Sequence, residues 1–211
     1  MHNLIPKDQE LAVLFRDLQF VGMTSVFERA YYSWICEQHY QGLGEVVDLG
    51  CWLGSTSKSL LNGLLKNQAF SARATAKLHV FDQFLWQSWM DLSPVAIANN
   101  YAKKLKAGDS FLELFKSENL KQLEWYQIYA GDLCQASWNL PIEILLVDAM
   151  KSRDLMDAIP RIFYTHLIPQ KSIVLHQDFG WDAIWCHLSV FLLKDYFKFI
   201  YFVPRSNTAV F

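Results

Sequence analysis

The chain has 211 residues, of which 52% are hydrophobic and 19% charged, so it can bury a substantial core and is not a disordered segment. Its net charge of −2 and its lack of a long basic run remove the electrostatic case for nucleic acid as a partner. Cys36, Cys51, Cys134 and Cys186 lie far apart with no C-x-x-C pair, which argues against a zinc site and for a reducing compartment.

No apolar run approaches the roughly 20 residues that cross a bilayer. Lys7, Asp8, Glu10, Arg16 and Asp17 leave the N-terminus without the apolar core of a signal peptide. The expectation is a cytoplasmic protein with no membrane partner, forming one domain over residues 1–211. An apolar surface leaves room for a homodimer.

Residues 1–40 read as helical. Ser25-Val-Phe-Glu28 has capping-box spacing, and Phe27, Ala30, Tyr31, Trp34 and Ile35 then recur at helical intervals. Such a cap either covers the mouth of a site or packs on a sheet edge. Gln41-Gly-Leu-Gly44 turns into the most informative stretch, Glu45-Val-Val-Asp-Leu-Gly-Cys-Trp-Leu-Gly-Ser-Thr56. It reads as a buried strand over 46–49, a glycine turn at Gly50 and Gly54, and a helix from Ser55 to about Lys66. The free N–H groups of that helix face the turn and suit an anionic or polar ligand group. Asp48 ends the strand, where an unpartnered carboxylate is costly, so it is expected to meet a donor. The plain alternative is a strand–turn–helix junction whose glycines serve geometry alone.

Four more apolar runs end in polar residues: Lys77–Asp82, Tyr126–Asp132, Ile142–Asp148 and Ser172–Asp178. Ligands of open α/β sheets bind at such carboxyl ends. Residues 83–122 exceed what one crossover helix needs. They hold Trp86, Trp89, Tyr101, Phe111 and Phe115, punctuated by Pro94 and Gly108 into about three helices. This insertion is a candidate lid, or else an aromatic helical layer, with Trp86 and Trp89 nearest the ligand. A helix over 152–168 should be kinked or split at Pro160. An apolar helix follows from Trp181 to about Tyr196. The strands 197–203 and 208–211 then pair as an antiparallel hairpin around Pro204–Asn207.

The stretch from Asp48 to Gly54 resembles the first motif, acidic-x-Gly-x-x-x-Gly, of class I S-adenosylmethionine (SAM)-dependent methyltransferases. The resemblance covers nearly everything from Glu45 onward. It implies a Rossmann-like α/β fold: a seven-stranded sheet with a C-terminal antiparallel hairpin, preceded by N-terminal helices. Asp48, Gly50, Trp52, Gly54, Ser55 and Thr56 would hold the methionine part of SAM. Asp82 and Gln83 would hold the ribose, and Gly131 and Asp132 would lie near the adenine. Asp148 would border cofactor and acceptor. A nicotinamide oxidoreductase fits less well, because its G-x-G-x-x-G spacing and its acid about 20 residues on are absent. Here the next strand-ending acid, Asp82, lies 32 positions beyond Gly50.

After the fourth and fifth strands the chain is similar to macrocin-type O-methyltransferases of natural-product pathways. These pair Asp-x-Asp with Asp-Asp-aromatic to hold magnesium. In this chain Met150 stands at the second Asp and Gln177-Asp178-Phe179 at the later motif, leaving Asp148, Gln177 and Asp178 as candidate Mg²⁺ ligands. The alternative chemistry uses His176 as general base, tuned by Asp178 or Asp148. A buried strand-end histidine with one hydrogen bond is the bland counterpart. Lys151, Trp181 and Trp86 are candidate acceptor contacts, and Trp185 is expected in the core. The partner implied is a small-molecule or short-peptide acceptor. A catalytically inactive, methyltransferase-like binding protein stays open beside the enzyme, and an RNA methyltransferase lacks the expected basic surface.

Overall fold

The computed structural model describes residues 4–20, 22–181 and 184–211. In chain order, α1 (Asp8–Leu14) and α2 (Val26–His39) precede β1 (Glu45–Leu49), α3 (Ser55–Leu64), α4 (Gln68–Ser71) and β2 (Leu78–Asp82). Then come α5 (Pro94–Ala98), α6 (Leu112–Glu118), β3 (Tyr126–Ala130), β4 (Ile142–Val147), α7 (Arg153–Ile162), β5 (Ile173–His176), α8 (Ile184–Leu192), β6 (Tyr201–Phe202) and β7 (Ala209–Val210). Among the described residues no helix is long and apolar enough to cross a membrane.

The strands form a seven-stranded sheet in the order β3-β2-β1-β4-β5-β7-β6. β1 to β5 pair in parallel, while β7 runs antiparallel to both β5 and β6. This is the seven-stranded α/β sheet with a terminal antiparallel hairpin expected from the sequence. Helices cover both faces, so β1 and β4 are buried almost throughout rather than on alternate residues, and Asp48 and Glu143 are buried with their apolar neighbours. On one face Val46, Val80, Ile144, Leu146 and Leu175 pack with α2, α3 and the insertion. On the other, Val47, Leu49, Leu145, Val147 and Val174 pack with Ala158, Ile159 and Ile162 of α7.

The capping box at α2 is present: Ser25 N–H donates to Glu28 Oε2 at 2.7 Å, and Glu28 N–H donates to Ser25 Oγ at 3.2 Å. α2 lies along α3, tied by Asn62 Nδ2 donating to Ser33 Oγ at 2.9 Å. It also reaches the terminal hairpin, where Tyr32 Oη meets Thr208 Oγ1 at 2.6 Å and Thr208 donates to Glu28 Oε1 at 3.0 Å. It is therefore neither a lid nor an edge helix alone; it spans the first face.

Several predicted details are corrected. α7 runs through Pro160 and ends at Ile162; the break falls at Phe163, followed by a 3₁₀ turn over Tyr164–His166. Proline forfeits one backbone donor near the helix end, and the packing of Ile159 and Ile162 on the sheet holds the turn. The insertion holds two short α-helices, α5 and α6, with 3₁₀ turns at Ser88–Leu92 and Tyr101–Lys103. The hairpin strands are shorter than predicted, and Phe197 and Phe199 lie ahead of the first with their rings 6.0 and 5.8 Å from that of Phe211. The last helix occupies Ile184–Leu192, and its predicted start includes residues 182 and 183, which lie outside the described residues.

Candidate active site

The chain leaves β1 toward β2 and β3 on one side, while β4 and β5 lie on the other, so strand order reverses between β1 and β4. The crevice at their carboxyl ends is where such sheets bind ligands. Gly50 has φ of 89°, and a Cβ there would sit 2.7 Å from the carbonyl oxygen of Asp148, so the β1 and β4 turns can approach this closely only with glycine. Gly54, at φ 88°, is the N-cap residue of α3 and offers no side-chain cap. Asn119 backs it, with Nδ2 donating to Leu53 O at 3.1 Å and to Phe115 O at 2.6 Å.

Asp48 is fully buried. Its Oδ2 accepts from Thr56 Oγ1 at 2.8 Å and Ser57 Oγ at 2.6 Å. Its Oδ1 is buried with no hydrogen-bond partner among the described residues. Burial pushes its carboxyl up to about 6 against those two donors, and the nearby Asp82 charge adds to the rise. Above the start of α3, Thr24 Oγ1 meets Ser55 Oγ at 3.2 Å, so the N-terminal segment reaches this turn.

Asp82 ties two turns together. Oδ2 accepts the Trp52 N–H at 2.9 Å and Oδ1 the Phe84 N–H at 2.8 Å. Burial raises its carboxyl above the usual range, opposed by those backbone donors and by the charge of Lys151. Trp52 is held at φ 44° by this bond. Its indole Nε1 has no partner among the described residues, and its ring lies 6.4 Å from that of Trp89.

Asp148 and Asp178 come together on Lys151. Nζ lies 3.0 Å from Asp148 Oδ1 and 3.2 Å from Asp178 Oδ2. The two carboxylates are mostly covered, while the lysine side chain is 51% exposed. Lys151 belongs to the short β4–α7 turn, held by its N–H on Ala149 O at 2.7 Å and by Ser152 capping α7. Burial pushes Asp148 up to about 7, Lys151 opposes that rise, and Asp178 adds to it. The Asp148 carboxylate in turn raises the lysine. Asp48, Asp82, Asp148 and Asp178 thus lie at the ends of four neighbouring strands, the last two on one ammonium.

The remaining predicted residues divide. Gly131 follows β3 and donates to Asp82 O at 2.9 Å, and a Cβ there would meet nothing within 4 Å, so open space adjoins it. Asp132 is exposed and caps the next turn through Cys134 N–H at 2.9 Å. Gln83 is exposed beside Asp82. Trp181 is 69% exposed, its N–H on Asp178 O at 3.0 Å, and Trp185 packs on the second apolar layer.

Two predicted site residues are placed in the core. Trp86 is fully buried in the insertion, 6.1 Å from Phe111, with its indole N–H on Asp91 Oδ1 at 2.7 Å, so it cannot line a pocket. His176 is fully buried on the α7 face of the sheet, with Nε2 3.0 Å from Tyr164 Oη and its ring against Phe179 and Phe211. Burial lowers it to about 4, so it stays neutral. Its Nδ1 is buried with no hydrogen-bond partner among the described residues, so neither Asp148 nor Asp178 orients the ring as the predicted general base requires. Of the two tryptophans expected nearest the ligand, Trp89 is the one beside Trp52. Sequence reasoning missed Ser57 and Asn119. The polar run Ser55-Thr56-Ser57 was a readable signal for the first; the second meets the glycine turn only through tertiary packing.

The Mg²⁺ ligand set does not fit. Lys151 already neutralises Asp148 and Asp178, and Met150 is buried in the second apolar layer. Gln177 adds only an amide whose Oε1 is buried and unpartnered among the described residues. Among those residues no group of three or more His, Cys, Asp or Glu is placed to hold a metal.

No protein-family model matches the sequence, and no curated protein matches it. Solved structures do match in shape. The O-methyltransferase NovP superposes with a TM-score of 0.63 at 13% identity, over 89% of this chain and 79% of that one. Apo CalS11, described as a TDP-rhamnose 3′-O-methyltransferase of calicheamicin biosynthesis, gives 0.55 at 12%, over 96% and 90%. The SAH-bound methyltransferase PaMTH1 of Podospora anserina gives 0.52 at 13%, over 98% and 87%. The chain has the fold of these methyltransferases.

Proposed function

We propose that this protein is a SAM-dependent methyltransferase acting on an oxygen of a small-molecule or short-peptide acceptor, in natural-product tailoring. The observation that carries the reading is the charge at the strand ends. Four carboxylates lie there against the single ammonium of Lys151, which pairs with Asp148 and Asp178, and Asp48 keeps a buried oxygen unpartnered among the described residues. Such a site suits a ligand that brings positive charge. SAM carries a sulfonium and an α-ammonium. The pyrophosphate of a nicotinamide cofactor would face the same carboxylates, which weighs against the oxidoreductase alternative.

The residues fit SAM. Asp48 and the uncapped first turn of α3, with Ser55 and Thr56, would take the ammonium and carboxylate of its methionine part. Each Asp82 oxygen accepts one backbone N–H and retains a lone pair for a ribose hydroxyl. The space beside Gly131 and Asp132 suits the adenine, and Trp52 with Trp89 would wall the site. SAM supplies the activated methyl group and a thioether leaving group. The protein supplies placement and a proton acceptor. Asp148, pushed up to about 7, is the group suited to take a proton from an acceptor hydroxyl near neutral pH. The preference for oxygen draws support from the shared fold with NovP and CalS11.

Calorimetric titration with S-adenosylhomocysteine tests the cofactor assignment. Micromolar binding, roughly −8 kcal/mol, is expected. No binding would remove SAM from the account and leave a methyltransferase-like fold with another task.

A further inference from the structure

We propose that Lys151 stands in the place of a metal ion, so that its ammonium is the resident cation of the acceptor site and no divalent ion takes part. The role toward the acceptor rests on the methyltransferase reading above; the occupancy of the site by the ammonium does not.

The geometry is specific. Nζ bridges Asp148 Oδ1 at 3.0 Å and Asp178 Oδ2 at 3.2 Å, contacts from the ends of two adjacent parallel strands. A divalent ion between the same oxygens would bind them at roughly 2.0–2.1 Å and would lie against the ammonium. Like-charge repulsion makes the two cations mutually exclusive. The lysine is not a loose surface chain that drifted in. Its backbone is pinned by Ala149 O, and Ser152 Oγ accepts the Leu155 N–H at 3.2 Å to start α7 immediately beyond it. Nor does the chain offer a replacement ligand, since Met150 turns its side chain into the apolar layer beneath.

An ammonium has three protons. Asp148 and Asp178 accept two, which leaves one donor for an acceptor oxygen. In transfer, the acceptor oxygen forms its bond to the methyl carbon as the carbon–sulfur bond breaks, and sulfur keeps the electron pair as a thioether. The hydroxyl proton passes to the Asp148 carboxylate, and Lys151 keeps all three of its own. The ammonium holds the acceptor oxygen while negative charge develops on it, as a metal would, but at a fixed distance and with a single charge.

The test is titration of the purified full chain with Mn²⁺, read by water-proton relaxation, beside S-adenosylhomocysteine calorimetry on the same samples. Wild type and Lys151→Arg, which keeps the cation, should show no Mn²⁺ binding at sub-millimolar levels. Lys151→Ala should free both carboxylates and bind Mn²⁺ at least about tenfold more tightly than wild type. Adding Asp178→Asn to it should abolish the gain. Tight Mn²⁺ binding by wild type that Asp178→Asn removes would overturn the proposal, whatever becomes of Lys151→Ala. So would a Lys151→Ala protein that retains its circular dichroism and gains no Mn²⁺ binding. Failure of every sample to bind S-adenosylhomocysteine, with the manganese pattern intact, would sustain the cation assignment and remove the methyltransferase reading.

Discussion

Replacing Asp48 with asparagine separates stability from cofactor binding. In the folded chain burial holds its carboxyl at about 6, against an ordinary value of 3.8. At about 1.4 kcal/mol per pH unit, that rise is worth ~3 kcal/mol against the ionised form. The sign follows from linkage. A group whose folded value is raised contributes stability in full below its unfolded value and loses it as pH rises through the folded one. The loss accrues between pH 3.8 and about 6 and is complete above it. The asparagine amide does not titrate, so Asp48→Asn should gain on wild type as pH rises. Asparagine can still accept from Thr56 and Ser57, but its amide hydrogens would fall where Oδ1 now has no partner among the described residues. That costs about 1–3 kcal/mol at every pH. It cancels when the comparison is made across pH. Urea unfolding of both proteins at about pH 4 and about pH 8 should show the difference in stability shift by about 2 kcal/mol in favour of the variant. S-adenosylhomocysteine binding should be lost over the same range. A difference that does not move with pH would refute the claim that Asp48 is buried as a strained carboxylate awaiting a cationic ligand.

Asp82→Ala should weaken S-adenosylhomocysteine binding at least about tenfold, and it should also loosen the Trp52 turn; unchanged affinity by calorimetry would end its ribose role. Trp86→Phe should lower stability by about 1–3 kcal/mol in urea, from the void it leaves and the lost bond to Asp91, with cofactor affinity intact. Trp89→Ala should do the reverse, and the opposite pattern would return Trp86 to the site. His176 is depressed from 6.5 to about 4, so its neutral form contributes stability present above 6.5 and lost as pH falls toward 4. His176→Phe should therefore lose less stability than wild type between about pH 7 and about pH 4.5, by about 2 kcal/mol, and equal losses in both proteins would contradict the buried neutral ring.

Much of the architecture was legible in the sequence. Five apolar runs closed by polar residues specify parallel strands with helices on both faces, because only a strand covered on both sides can be apolar throughout. The Ser25–Glu28 pair specifies a helix start, because both of its hydrogen bonds are local. Gly50 and Gly54 specify a tight turn for the same reason. The lysine three residues after Asp148 was likewise a readable neighbour, since that spacing lies within one turn of chain.

What could not be read were the choices that depend on partners distant in sequence. Trp86 and Trp89 are three residues apart in a segment with no clear period. The pairing of Leu85 with Ser110 and the bond from Trp86 N–H to Asp109 O turn the first into the core and leave the second beside Trp52. His176 alternates with Leu175 along β5, but the side facing the ligand was undecided until α7, Tyr164 and Phe211 filled the other face. Lys151 reaches Asp178 only because β4 and β5 lie side by side, a contact across 27 residues of sequence. Local hydrogen bonds and apolar periodicity belong to the chain itself, so the sequence alone determined the strands, the caps and the glycine turn. Which side chains share the crevice is set by strand order and the packing of the two faces, and only the tertiary structure decides that.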